Sequence, residues 1–180
     1  MSTPKAVDHE DHALVLAAQR GDREAVEQLV DAHWHRAWRA SMSVLFDSHR
    51  AEDLAQEAMV KAIANLGSFD AERPFGPWLE RIAVNGCLDW LRRRPNREQP
   101  VDRIPEPRSI EVFTDVELAS ALERLEPLDR AMVVMRHVLG YRVTEIAEMV
   151  ELSETAAGSR LHRAMRSLRA GVRRTEEIVG

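Results

Sequence analysis

Six arginines near the C-terminus offer the plainest chemistry in this sequence. Arg160, Arg163, Arg166, Arg169, Arg173 and Arg174 follow one another with no acid among them until Glu176. Guanidinium groups at helical spacing suit phosphates and guanine edges. A second basic cluster is Arg92, Arg93 and Arg94. The acids gather elsewhere. Asp53, Gln56 and Glu57 recur at three-to-four spacing, which places them on one exposed helix face able to pair with the arginines of another helix. Arg81 and Asn85 are four apart and follow an aromatic-bearing loop, so both can face that loop. A polar side chain beside an aromatic could hold an unstacked base.

None of these sets is a catalytic constellation. The single cysteine, Cys87, rules out an intrachain disulfide and a cysteine-based zinc site. The pairs His9 and His12, and His33 and His35, lack companion ligands, so neither a metal nor a cofactor is expected. A hydrolase built on the carboxylates near Asp53 has no converging ligands to work with.

The elements that must carry these residues are helices. Hydrophobic residues make up 44% of the 180, but only 5% are aromatic, and Ala, Leu, Glu and Arg dominate. The pattern predicts a helix from about Ala13 to Gly21 and a second one capped by Asp22. A third carries Leu54, Ala58, Met59, Ala62 and Ile63 inward, and a fourth runs from about Trp78 to Arg93, where Pro95 stops it. Residues 67–77 read as a loop. Four prolines among charges mark residues 95–114 as a flexible linker, and residues 1–10 read as a disordered tail. Beyond the linker, helices are expected near 115–125, 128–138, 143–150 and 154–173. The fold class is therefore all-α, with a front module at 1–94 and a back module at 115–180.

The back module is the sharpest of these signals. Val143 to Val150 is amphipathic, with Ile146, Ala147 and Val150 inward. Glu151-Leu152-Ser153 makes a short turn in which Ser153 caps the next helix, beginning Glu154-Thr155-Ala156-Ala157. This is a helix-turn-helix, whose second helix enters the major groove at its N-terminal end. The net charge of −5 does not argue against DNA, because local basic patches bind phosphate whatever the global sum. A conventional helix-turn-helix regulator would use the same module, but it should bind its operator alone, often as a dimer.

Taken in order, the motifs AEDLAQE, FDAERPFGPWLERIAVNGCLDWLRRR and LEPLDRAMVVMRHVLGYRVTEIAEMVELSETAAGSRLHRAMRSLR resemble the extracytoplasmic-function (group IV) sigma factors of the sigma-70 family. The resemblance covers about residues 13–94 and 115–170. It implies that Asp53, Gln56 and Glu57 grip the clamp helices of the largest polymerase subunit. Lys61 would lie near single-stranded promoter DNA, and Phe69, Arg81 and Asn85 around the pocket for a flipped base of the −10 element. Thr155, Ser159, Arg160, His162 and Arg163 would read the −35 element. The implied partners are core RNA polymerase, through its largest and second-largest subunits, and promoter DNA, with room for an anti-sigma factor. The chain would be a non-enzymatic initiation factor. No signal peptide is apparent and no apolar run reaches the ~20 residues of a membrane span, so the expected compartment is the cytoplasm. The sequence departs from the family at Arg142, which replaces a capping serine, and at Gly158 and Met165, where basic residues are frequent.

Overall fold

A computed structural model describes residues 9–93 and 116–179, with side chains described for 11–93 and 117–172. The tail at 1–8 and the segment 94–115, which includes the expected linker, lie outside the described residues. All regular elements among the described residues are helical.

The front module holds α1 (His9–Gln19), α2 (Arg23–Leu45), α3 (Ser48–Ala64), a short 3-10 turn (Leu66–Ser68) and α4 (Phe75–Arg93). Short polar side chains start two of them. Asp22 accepts from the Glu24 and Ala25 amides, and Asp47 accepts from the Arg50 amide, satisfying donors that have no partner within the helix. α2 ends at Phe46, which takes a left-handed conformation (φ 58°) and donates its amide to Met42 O. A phenylalanine there costs free energy that a glycine would not; its buried ring supplies the compensation. α4 begins at Phe75, three residues earlier than the Trp78 start that the pattern predicts. Pro77 does not prevent this, because a first-turn amide has no helical acceptor to lose. Gly76 lies against the Arg36 side chain, where a Cβ would stand 3.2 Å from it.

The back module holds α5 (Val116–Glu123), α6 (Pro127–His137), α7 (Val143–Met149) and α8 (Glu154–Val179). Glu126 caps α6, with Pro127 in the first turn. α7 begins without a serine: the Glu145 carboxylate instead accepts from the Arg142 amide at 2.8 Å and from its guanidinium at 3.3 Å. Those bonds hold the Glu145 carboxyl below its usual range.

Two apolar clusters organise the molecule. One lies within the front module and joins Val15, Leu29, Phe75 and Leu79 from α1, α2 and α4. The other joins Val44, Leu45, Phe46, Leu54, Val84 and Leu88 of the front to Met132, Met135, Ile146 and Leu161 of the back. α6 therefore packs on α2 and α4, and the two modules share a core.

Candidate polymerase and promoter surfaces

On α3 the core side is a run of small residues, with Ala51, Ala55, Ala58 and Ala62 buried. Small residues let α3 lie close to α2 and α4. The opposite side carries Asp53, Gln56 and Glu57, all exposed. Arg50 pairs with Asp53 at 3.3 Å, and Lys61 with Glu57 at 3.9 Å. Exposed pairs of this kind are worth little, so the face can exchange them for another partner. Val60 stands one turn beyond Gln56 and Glu57, on the same stripe, and is 63% exposed. The sequence reading passed over it. The available signal was an apolar residue out of phase with Ala58, Ala62 and the rest of the buried face.

The loop after α3 is held from behind. Gln19 of α1 donates to Leu66 O at 2.9 Å and to Phe69 O at 2.8 Å, and the His12 ring shares a hydrogen bond with Ala71 O. Phe69 does not project outward: it is 7% exposed, its ring 4.4 Å from Trp78 and edge-on to Phe75. The sequence reading placed Phe69 at the rim of a base pocket. The structure puts it under the rim, because three aromatic rings at the start of α4 bury one another. Trp78, Arg81 and Asn85 then follow at helical spacing, Trp78 and Arg81 partly exposed and Asn85 exposed. Arg81 lies 3.8 Å from Glu148 of α7.

The helix-turn-helix is formed by α7 and α8. Ser153 Oγ accepts from the Ala156 amide at 3.2 Å, and the turn passes through Glu151 in a left-handed conformation (φ 58°). Ala157, Leu161, Ala164 and Leu168 face the core. Thr155, Ser159, His162, Arg163, Arg166 and Arg169 are exposed. Arg160 is different. Its guanidinium bonds Asp129 and, at 2.7 Å, Glu126, both in the first turn of α6, and its side chain is 30% exposed. The sequence reading set Arg160 beside Arg163 as a base contact. The structure separates them: Arg163 is exposed, whereas Arg160 is held against α6. Arg166, outside that set of readers, is on the exposed stripe with Thr155, Ser159 and His162.

Among the described residues no group of three or more His, Cys, Asp or Glu side chains could hold a metal ion. No helix is long and apolar enough to cross a membrane.

An acid-faced helix, a braced aromatic loop and a basic helix-turn-helix on an all-helical frame define a DNA-binding protein of the sigma class. Comparison with known proteins makes this specific. Residues 29–97 match sigma-70 region 2, and residues 115–168 match sigma-70 region 4. The chain is 34% identical to the ECF RNA polymerase sigma factor SigM of Mycobacterium tuberculosis, over 87% of this chain and 82% of the relative. It is 25% identical to SigW of Bacillus subtilis, over 88% and 95%. Among solved structures, CnrH in complex with the cytosolic domain of CnrY is similar at 30% identity, TM-score 0.58, covering 89% of this chain and 96% of that one. The sigma factor RpoE of Bartonella quintana, bound to the anti-sigma factor NepR, shares the fold at 20% identity and TM-score 0.60, over 82% and 96%. The chain belongs to the extracytoplasmic-function RNA polymerase sigma factors, and it directs promoter-specific transcription initiation with core RNA polymerase.

Proposed function

We propose that the α3 stripe of Asp53, Gln56, Glu57 and Val60 is the surface that docks on the clamp helices of the largest polymerase subunit. Acids around an exposed apolar residue fit a basic helical partner, with charge steering the encounter and Val60 adding apolar contact. Lys61, one turn on, faces the path of the melted strand. The −10 element is read on α4. Asn85 offers both a donor and an acceptor to a base edge, Arg81 its charge, and Trp78 its ring, while Phe69 keeps the loop in place beneath them. The −35 element is read by Thr155, Ser159, His162 and Arg163, with Arg166 on the same face, and Arg160 braces the recognition helix on α6. The front module spans 1–94, the linker 95–114 and the back module 115–180, the latter also meeting the second-largest subunit. The protein works in the cytoplasm and catalyses nothing itself; the polymerase performs the phosphoryl chemistry. An anti-sigma factor of the kind bound to CnrH belongs to this reading.

The observation that carries it is the exposed acid and valine stripe of α3, built on the same helix pair that presents Arg81 and Asn85. Run-off transcription with purified core polymerase on a pool of genomic fragments tests it. Discrete start sites that appear only with this chain are expected. Operator binding by the chain alone, with no core-dependent transcripts, would replace this reading with a conventional helix-turn-helix regulator.

A further inference from the structure

The charges that fasten the back module to the front sit on residues that promoter binding needs free. Glu148 of α7 reaches Arg81 at 3.8 Å, and Glu151 in the helix-turn-helix turn meets the Arg92 guanidinium at the end of α4. Both carboxylate side chains are about three-quarters exposed, at 74% and 75%, so neither is needed for packing within its own module. Under this rim lies the shared apolar core, crossed by one buried cation. Arg130 of α6 donates to Leu45 O at 3.2 Å and stacks over the Phe46 ring at 4.8 Å, while its Nε finds no acceptor. A contact with an under-satisfied buried guanidinium and a rim of exposed ion pairs is one that forms and opens, as interfaces between domains do. The 22 residues between α4 and α5 have a contour of up to about 75 Å, ample for separation.

We infer that the free chain has a closed, self-masking state. In it the carboxylates of Glu148 and Glu151 occupy, at Arg81 and Arg92, the places that promoter phosphates take. Promoter DNA and polymerase open the chain by competing for those guanidiniums. The inference rests on the −10 role proposed for Arg81. Duplex DNA carries a charge every ~1.7 Å of its length, so two exposed carboxylates hold the site only against weak competitors. That is the behaviour of a guard against unproductive binding. A closed fraction lowers the apparent affinity in proportion, and the α3 stripe stays exposed throughout, so docking on the polymerase is not masked.

Energy transfer between labels on Glu24→Cys and Ala170→Cys, both exposed, reports closure in the free chain. High transfer is expected for the parent. Arg92→Glu or Glu151→Arg should each lower it, and the combined swap should restore it. Equal transfer in all four chains would overturn the closed state. Masking is read with core polymerase and a pre-melted −10 probe lacking −35 duplex, so that the back module has no DNA to touch. Glu148→Gln with Glu151→Gln should raise the apparent affinity about two- to fivefold, the range an exposed ion pair supports. No gain would overturn masking. Arg81→Ala in that neutral background separates the two readings. Undiminished probe capture would remove the −10 role of Arg81, and with it the masking, while the transfer results would still decide closure.

Discussion

Arg160 and Arg163 are three positions apart on α8, which rotates one about 60° from the other around the axis. That difference divides their work: Arg163 is exposed, and Arg160 is bonded to Asp129 and Glu126. Replacing Arg163 by alanine should cost about 1–3 kcal/mol at one base pair and relax its specificity. Arg160→Ala should instead weaken binding evenly across −35 sequences and lower the melting temperature, since it leaves two carboxylates of α6 without their partner. Affinities on a promoter library beside melting curves check both; a single-position specificity change in Arg160→Ala would return it to the reading face. Cys87 makes a second case. Burial pushes its thiol up to about 12, partly offset by a hydrogen bond with Ser41. The folded chain should therefore resist iodoacetamide at neutral pH and react after unfolding. Because the folded state keeps the proton, this stabilising contribution is complete below about pH 9 and is lost as pH rises toward 12. Mass spectrometry of labelled native protein, and melting curves from pH 8 to 10, read the two effects.

At the scale of elements, α3 and α4 each bury one face in the front module and offer the other to a partner. Asp53→Arg with Glu57→Arg should weaken association with core polymerase, because charge reversal turns steering into repulsion. Unchanged co-elution of the folded double variant with core would remove α3 as the docking surface. On α4, Asn85→Ala should leave polymerase and −35 binding intact and impair promoter opening at the cognate −10 element, followed by permanganate reactivity of promoter thymines. Gln19→Ala acts on the same step from behind. It leaves Leu66 O and Phe69 O without their donor, a loss of about 1–3 kcal/mol for part-buried groups. It should impair opening together with a fall in melting temperature, whereas Asn85→Ala should show the first without the second.

For the whole molecule, the shared core couples two modules that the sequence presents as separate. Leu88 is fully buried in the cluster that includes Met132 and Ile146. Leu88→Ala should cost about 2–5 kcal/mol and lower the stability of both modules together. The tryptophans, at positions 34, 38, 78 and 90, lie in the front module alone, so their fluorescence follows that module while far-ultraviolet dichroism follows both. Coincident transitions in the parent chain are expected of one cooperative unit; a front transition well separated from the dichroism transition would show that the modules unfold independently. The buried Arg130 guanidinium, which burial lowers to about 10, stays charged at neutral pH. The coupling therefore includes a desolvated cation held by Leu45 O and the Phe46 ring, and it is weaker than a wholly apolar seam.

The amino-acid sequence by itself determined the helices, since local periodicity and capping residues are local physics. Asp22, Ser153 and the break before Asp47 each do what their chemistry dictates, and the family motifs stand in order along the chain. It also determined which face of α3 and α8 turns outward, because an apolar stripe fixes its own opposite. The tertiary structure decided whatever depends on residues far apart in the chain. Arg160 is drawn aside by carboxylates more than thirty positions earlier. Phe69 is buried by rings on a helix whose start the proline seemed to delay. Gln19, unremarkable in its own helix, fixes the loop some fifty residues on. The closing of the modules depends on Leu45 O and Phe46 meeting Arg130 across 85 residues, and no spacing rule reaches that far, because burial and charge pairing are set by which surfaces meet.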